Sequence, residues 1–193
     1  MPYFGVDFMN ILDKIVAHKK TEIASAKQSV SRASLEGSDL FEREVLSFKD
    51  FLLDESRSGI IAEFKRRSPS KGVINDKVSV EEVTTGYASA GASALSVLTD
   101  SEFFMGQKAD LLTARGVNQI PILRKDFMID EYQVFEAKAW GADIILLIAA
   151  ILSPAEIKSL ASLAKSLGLN VLLEVHNLEE LQRSINPNLD AIG

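Results

Sequence analysis

The sequence contains no cysteine, and this absence excludes several classes of site. Structural disulfides, thiolate nucleophiles and cysteine-based zinc sites all require that residue. The two histidines, His18 and His176, are far apart in the chain, so the sequence indicates no histidine-rich metal cluster. Any chemistry must therefore come from carboxylates, amines and hydroxyls.

Long hydrophobic runs and an excess of basic residues are also missing. The longest apolar run, Ile144 to Leu152, is well short of the roughly 20 residues that a membrane span needs. Met1 to Lys20 lacks the unbroken apolar stretch of a signal peptide. With 21 Lys and Arg against 27 Asp and Glu, the net charge is −6, which argues against a nucleic-acid partner. We therefore expect a cytoplasmic protein with no membrane partner.

A unit of strand, turn and helix recurs along most of the chain. Short apolar, β-branched runs alternate with longer segments of helical periodicity, which predicts a parallel sheet with right-handed crossovers. The spacing fits a (β/α)8 barrel and also a doubly wound sheet, but no Gly-x-Gly-x-x-Gly follows any strand, which disfavours dinucleotide binding. The predicted strands are Gly59–Lys65, Ala94–Thr99, Gln119–Lys125, Asp143–Ala149, Asn170–His176 and Leu189–Gly193.

Helix start and stop signals separate these runs. Three pairs three residues apart resemble capping boxes, in which two side chains satisfy the first free backbone N–H groups, and a fourth pair, Asp130/Gln133, is a weaker relative. Glycines a few residues before the next run suit the left-handed turn that ends a helix. The pairs are Ser79/Glu82, Asp130/Gln133, Ser153/Glu156 and Asn177/Glu180, and the glycines are Gly91, Gly116, Gly141 and Gly168.

The first 58 residues do not follow the repeat. We interpret residues 1–58 as an N-terminal helical extension and residues 59–193 as a partial (β/α) barrel, within one domain overall. Phe8 to Val30 predicts an amphipathic helix and Phe41 to Ser56 predicts a second. In the first helix the predicted apolar side carries Ile11, Ile15, Ile23 and Ala26, and the lysines placed elsewhere are Lys14, Lys19, Lys20 and Lys27.

Four charged residues lie near the carboxyl ends of predicted strands, where parallel α/β folds bind their ligands. Glu63 and Lys65 are two residues apart and therefore point to the same side of the first strand. Lys125 and Glu174 occupy comparable positions on the third and fifth strands. Together they predict one cavity suited to proton transfer, and a structural salt-bridge network is the alternative.

Several segments resemble the indole-3-glycerol-phosphate synthase family. Ile61 to Gly72 is close to the family signature, and Pro121–Phe127, Asp143–Leu152 and Leu173–His176 match in the same order. The resemblance implies a (β/α)8 TIM barrel with an N-terminal helical extension, here incomplete with about six strands. It also implies a carbon–carbon lyase of tryptophan biosynthesis that acts on a phosphosugar without a metal or organic cofactor.

The resemblance also implies a role for individual side chains. The family closes a ring in 1-(2-carboxyphenylamino)-1-deoxyribulose 5-phosphate and removes carbon dioxide and water. By position, Lys125 resembles the acid that protonates the ketone, and Glu174 the second acid/base. Glu63 resembles the glutamate that stabilises positive charge at the anilino nitrogen, and Lys65 the lysine that holds an anionic group. Implied substrate-binding residues are Ser68 near the phosphate and Phe104, Phe127 and Leu146 around the aromatic ring.

Alternatives remain at the level of sequence. By the resemblance, further strands and the phosphate-binding loops would follow Gly193. We therefore expect the 193-residue polypeptide to have little synthase activity and to self-associate through open barrel edges. A non-catalytic, self-associating partial barrel is one alternative. Another phosphosugar barrel enzyme, such as phosphoribosylanthranilate isomerase, is a second, although that isomerase typically uses a cysteine.

Overall fold

The computed structural model describes residues 10–193, which form a curled parallel sheet of six strands flanked by helices. The sheet order is β1-β4-β5-β6-β7-β8, so neighbours in sequence are neighbours in space, as in a barrel wall. A separate antiparallel pair, β2 and β3, follows β1. The strands are β1 (Ile61–Phe64), β2 (Arg67–Ser68), β3 (Gly72–Val73), β4 (Ala94–Leu98), β5 (Ile122–Lys125), β6 (Ile144–Ile148), β7 (Asn170–Glu174) and β8 (Ala191–Ile192).

All six predicted apolar runs contain a strand of the large sheet, which confirms the predicted half-barrel. The doubly wound alternative is wrong, because the sheet runs in one direction from β1 to β8 without a reversal of strand order. The helices are α1 (Ile11–Ser29), α2 (Arg32–Glu36), α3 (Phe48–Leu53), α4 (Val80–Ser89), α5 (Ser101–Phe104), α6 (Lys108–Val117), α7 (Glu131–Ala139), α8 (Pro154–Ser166) and α9 (Leu178–Ser184).

Most of the predicted helix boundaries are confirmed. Asp130 and Ser153 form reciprocal capping boxes with Gln133 and Glu156. Gly91, Gly141 and Gly168 have positive φ angles directly after their helices. Gly116 is an exception, because it lies inside α6, whose end is marked by an extended Asn118.

Alternation along the strands divides the core into two layers. Residues such as Leu95, Ile122 and Ile145 face the helices, whereas Leu123 and Leu146 face the barrel interior. The interior cluster also receives Ile15 from α1 and Phe48 from α3. Lys125 and Glu174 continue the interior rows of β5 and β7, so the strand period alone directs both charges inward.

The N-terminal segment differs from the prediction in its second helix. The predicted start of the first helix at Phe8 lies outside the described residues. The predicted helix Phe41–Ser56 is reduced to α3, and α2 forms ahead of it. Residues 37–43 form turns and residues 44–47 have no regular secondary structure, and here Arg43 Nη2 and the Leu46 N–H reach one carboxylate oxygen of the fully buried Asp143, at 2.6 and 2.8 Å. This buried ion pair at the start of β6 outweighs local helix propensity.

Lys19 is also misplaced by the sequence-based prediction. It lies on the buried face of α1, together with Ile15 and Ile23, and is fully buried rather than on the solvent side. The reason is electrostatic, because Lys19 Nζ lies within 3.1 Å of carboxylate oxygens from Asp100 and Asp126. Among residues 10–193, no helix is both long and apolar enough to cross a membrane.

Candidate active site

A cavity of about 310 Å³ opens at the carboxyl ends of the strands. Its polar side includes the four charged residues predicted from the sequence, and its apolar side is formed by rings and aliphatic chains. The lining residues are Leu12, Glu63, Lys65, Leu98, Phe104, Lys125, Asp126, Phe127, Leu146, Ile148, Glu174 and His176. Such a combination of an apolar wall with a few convergent polar groups is typical of a small-molecule site.

The four charges form two ion pairs across the cavity mouth. Lys65 Nζ lies 2.5 Å from Glu63 Oε1, and Lys125 Nζ lies 2.9 Å from Glu174 Oε2. Each of these side chains is between 28% and 32% exposed. The groups are therefore accessible to a ligand while remaining partly shielded from water, which strengthens their electrostatic interaction.

The aromatic wall is built by the segments that follow β4 and β5. Phe104 lies at the end of α5, and Phe127 comes two residues after β5. Their ring centroids are 5.9 Å apart, with an angle of 38° between the ring planes. Leu146 lies on the interior face of β6 beside them. The three residues predicted to surround an aromatic ring therefore lie in one cavity with the four charges.

Ser68 does not line this cavity. It belongs to the β2–β3 hairpin, where its Oγ accepts a hydrogen bond from the Lys71 N–H at 3.3 Å. The base of this basic hairpin is fixed by Arg66, which donates to Asp110 and lies over the Phe64 ring. A contact between Ser68 and a phosphate stays a prediction.

A buried charge network lies behind the cavity wall, on the helix-facing side of β5. Arg124 is 1% exposed and donates to Asp126 Oδ2 at 3.1 Å and to Glu136 Oε2 at 3.0 Å. Burial alone would raise the pKa of the Asp126 carboxyl, but Arg124 and Lys19 lower it to about 2. Burial dominates at Glu136 and raises its pKa above the usual value.

Comparison with known proteins agrees with this geometry. The sequence model of indole-3-glycerol phosphate synthase matches residues 12–193. The chain is 49% identical to the indole-3-glycerol phosphate synthase of Bacteroides thetaiotaomicron, over 95% of the chain and 70% of that protein. It is 43% identical to the synthase of Bordetella pertussis, over 95% and 71% of the two chains. The chain belongs to the indole-3-glycerol phosphate synthase family.

Membership of the indole-3-glycerol phosphate synthase family is consistent with the barrel wall. A carboxyl transferase domain of Rhizobium etli pyruvate carboxylase overlays with a TM-score of only 0.47 at 15% identity, a likeness too distant to bear on function. Within residues 10–193 no three acidic or histidine side chains are grouped to hold a metal ion.

Sequence reasoning missed the buried Lys19 behind the cavity and five residues that line it, Leu12, Leu98, Asp126, Ile148 and His176. Leu12 reaches the cavity from α1, and no motif around it indicates that contact. No motif assigns a role to His176, which also lines the cavity, with its Nε2 3.6 Å from Glu174 Oε1 and its Nδ1 3.5 Å from Glu180 Oε2. The burial of Lys19 could have been predicted, because its spacing of four residues from both Ile15 and Ile23 puts it on the apolar face of the helix.

Proposed function

We propose that the cavity is the active site for the family reaction, in which 1-(2-carboxyphenylamino)-1-deoxyribulose 5-phosphate becomes indole-3-glycerol phosphate. The observation that carries this proposal is the convergence of two ammonium groups, two carboxylates and an aromatic wall in one cavity. In this proposal the ring of the substrate packs against the wall that Phe104 and Phe127 form together, and its polar chain faces the charges. The expected setting is the cytoplasm.

Ring closure needs an acid beside the ketone oxygen. A ring carbon attacks the ketone carbon, and the oxygen must receive a proton as the new carbon–carbon bond forms. Lys125 is the proposed donor, since its ammonium lies at the end of an interior strand row beside the aromatic wall. A positioned acid of this kind contributes about 10²–10⁴-fold to the rate.

The later steps redistribute protons. Loss of carbon dioxide leaves its bonding electrons in the ring system. The hydroxyl then leaves as water, which requires a second proton, and the adjacent chain carbon loses one. Because the substrate carboxylate departs as neutral carbon dioxide, one proton is taken up per turnover. Glu174 is the proposed acid/base of this dehydration, and its contact with Lys125 allows protons to pass between the two groups.

The remaining charged pair has a binding role in this proposal. Lys65 holds an anionic group of the substrate, and Glu63 orients Lys65 and stabilises the positive charge that develops at the anilino nitrogen. Preorganised charges of this kind act most strongly where charge develops in the transition state. Ser68, on the hairpin, is proposed to approach the phosphate.

A product assay tests the proposed reaction. It is run on the chain alone and on a fusion that appends to Gly193 the segment following the aligned region of the Bacteroides relative. We expect the fusion to form indole-3-glycerol phosphate, identified by mass, and the chain alone to be slower by more than about tenfold. Absence of product from both, with the relative active as a positive control, would contradict the proposed function.

Self-association is the alternative function. Among the described residues β1 pairs only with β4, and β8 only with β7, so each has one edge without a strand partner. Free edges of this kind favour pairing between copies. Size-exclusion chromatography distinguishes the two: a monomer that binds substrate favours the enzyme, whereas a defined dimer without ligand binding favours the assembly role.

A further inference from the structure

Lys19 is a fully buried lysine that joins the N-terminal helix to the loops at the cavity mouth. Its Nζ lies 2.9 Å from Asp126 Oδ1, 3.1 Å from Asp100 Oδ2 and 2.9 Å from Glu22 Oε2. Removing an ammonium from water costs several kcal/mol unless carboxylates and hydrogen bonds compensate. An ammonium whose burial requires such compensation fixes the relative positions of the elements that it connects.

Each of the two aspartates is the anchor of a separate loop. Asp100 follows β4, and its other oxygen, Oδ1, accepts the Phe103 N–H at 2.8 Å, which starts helix α5. Asp126 follows β5, and its Oδ1 accepts the Phe127 N–H at 2.8 Å. Asp126 Oδ2 also accepts a hydrogen bond from Thr99 Oγ1 at 2.6 Å, which joins the two strand ends.

These loops carry the two rings of the aromatic wall. Phe104 ends α5, and Phe127 is the residue after Asp126, so the two anchors lie four residues and one residue from the rings. Helix α1 touches the same region twice more: His18 packs edge-on against Phe103 with ring centroids 5.7 Å apart, and Leu12 lines the cavity. One face of α1 thus contacts both loops and the cavity.

We propose that Lys19 is a positioning residue for the aromatic-ring end of the substrate site. It acts through Asp100 and Asp126, which hold the Phe104 and Phe127 segments in the arrangement that forms the aromatic wall of the cavity. This inference rests on the proposed function for the identity of the ring, but the clamp itself is a property of the loops. The N-terminal helix thereby contributes to ring recognition as well as to stability.

The charge states are consistent with a fixed clamp. Burial alone would lower the pKa of the Lys19 ammonium, but Asp126 and Asp100 raise it above its usual value. The same interactions contribute to the depressed pKa of Asp126. Lys19 and Asp126 therefore stay charged across the neutral range, so the contact does not act as a pH switch.

Amide hydrogen exchange and ligand binding test the clamp on the 193-residue chain. Lys19→Met keeps the side-chain length and removes the charge, and Lys20→Met removes the same charge from an exposed neighbour on the same helix. We expect Lys19→Met to speed exchange at least tenfold in residues 100–105 and 126–129 while α8 is unchanged. We expect its affinity for the substrate with the ketone reduced to an alcohol to fall about tenfold or more. Lys20→Met should change neither quantity.

A second variant covers the event that Lys19→Met does not fold, since Lys19→Met removes the cation beside the buried Asp100 and one of the two cations beside the buried Asp126. Asp100→Asn removes one charge of the clamp but retains an oxygen that can accept the Phe103 N–H. We expect faster exchange in residues 100–105 and weaker binding of the reduced substrate, with less change in residues 126–129.

The outcomes separate this inference from the proposed function. If neither the unsubstituted chain nor the fusion binds the reduced substrate but exchange is faster in both loops of Lys19→Met, the proposed ring site fails and the clamp stands. Folded Lys19→Met with protected loops and unchanged binding would overturn the inference. Uniformly faster exchange throughout the chain would also overturn it, because that result indicates a global loss of stability alone.

Discussion

Arg124 and Lys125 are adjacent in sequence but point to opposite faces of β5. Arg124 is 1% exposed and pairs with Asp126 and Glu136 beneath α7, whereas Lys125 lies in the cavity with its Nζ 2.9 Å from Glu174. Successive side chains on a strand alternate between its faces, so two neighbouring cations have different environments. One cation is part of the wall, and the other is available to a ligand.

This division predicts different effects for two substitutions. Lys125→Ala in the fusion should lower kcat by about 10²–10⁴-fold, because an acid acts in the transition state. The dissociation constant of the reduced substrate should change much less. Steady-state kinetics and calorimetry measure the two quantities, and Lys158→Ala, on the exposed face of α8, is the control. A change confined to KM would remove Lys125 from the acid role.

Arg124→Met should instead destabilise the fold. The substitution removes the cation beside the buried Glu136 and one of the two cations beside the buried Asp126, and loss of a buried ion-pair partner typically costs about 3–5 kcal/mol. It also removes the contact between the guanidinium and the Trp140 ring, at 4.0 Å from the ring centroid. Urea unfolding of the chain measures the loss, and Lys125→Ala is the matched comparison. A cost for Arg124→Met below about 1 kcal/mol would show that the network is dispensable.

The sequence predicts the barrel wall well because strand alternation and helix caps are local signals. The spacing of Glu63 and Lys65 determines that both face one side, and apolar runs of similar length bring Lys125 and Glu174 to the same end. Local sequence patterns do not indicate which two residues will form an ion pair. Arg124 is predicted only as part of a strand end, yet it is buried on the helix side, because its partner Glu136 lies twelve residues later on α7.

The N-terminal segment is the least predictable part for the same reason. Residues 42–46 have enough helix formers to suggest a longer helix, but Asp143, about a hundred residues away, takes Arg43 and the Leu46 N–H as partners. Lys19 is buried for an equally distant reason, its contacts with Asp100 and Asp126. Ion pairs between distant parts of the chain therefore determine both the shortened helix and the burial of Lys19. Hydrophobic periodicity does not indicate which residue will be the partner in either ion pair.

The depressed pKa of Asp126 predicts part of the acid stability. The carboxyl has a pKa of about 2 in the folded chain against 3.8 for the ordinary group. A depressed folded value stabilises the fold above the ordinary pKa, and this contribution is lost as the pH falls from about 4 towards about 2. At about 1.4 kcal/mol per pH unit, the contribution is about 2 kcal/mol.

Urea unfolding from about pH 5 to about pH 2 measures this contribution. At about pH 5, Asp126→Asn should be less stable than the unsubstituted chain. On acidification to about pH 2, it should lose less stability than the unsubstituted chain. Asp39→Asn, at an exposed position, is the control and should follow the unsubstituted chain. Parallel stability curves for Asp126→Asn and the unsubstituted chain would refute the assigned role of Asp126.

Substitution of glycine by alanine should have opposite effects on stability at Gly106 and at Gly86. A methyl group added at the buried Gly106 would lie 2.2 Å from the Leu98 carbonyl oxygen, a clash with backbone that cannot be relieved by a side-chain rotation. The Gly106 N–H also donates to the Asp100 carbonyl at 2.8 Å, so the loop that carries Phe104 would have to move. We expect Gly106→Ala to destabilise the chain by about 1–3 kcal/mol and to weaken binding of the reduced substrate.

Gly86→Ala provides the matched opposite case. Gly86 is exposed inside α4, and nothing lies within 4 Å of the added methyl group. Alanine should therefore stabilise the helix by about 0.5–1 kcal/mol, because glycine loses more backbone freedom on folding. Thermal unfolding of the two variants gives the comparison, and substrate binding by Gly86→Ala should be unchanged. Gly106→Ala would be as stable as the unsubstituted chain only if the close approach of Leu98 to Gly106 did not constrain the loop that carries Phe104. That result would contradict the anchoring of this loop that is attributed to Asp100.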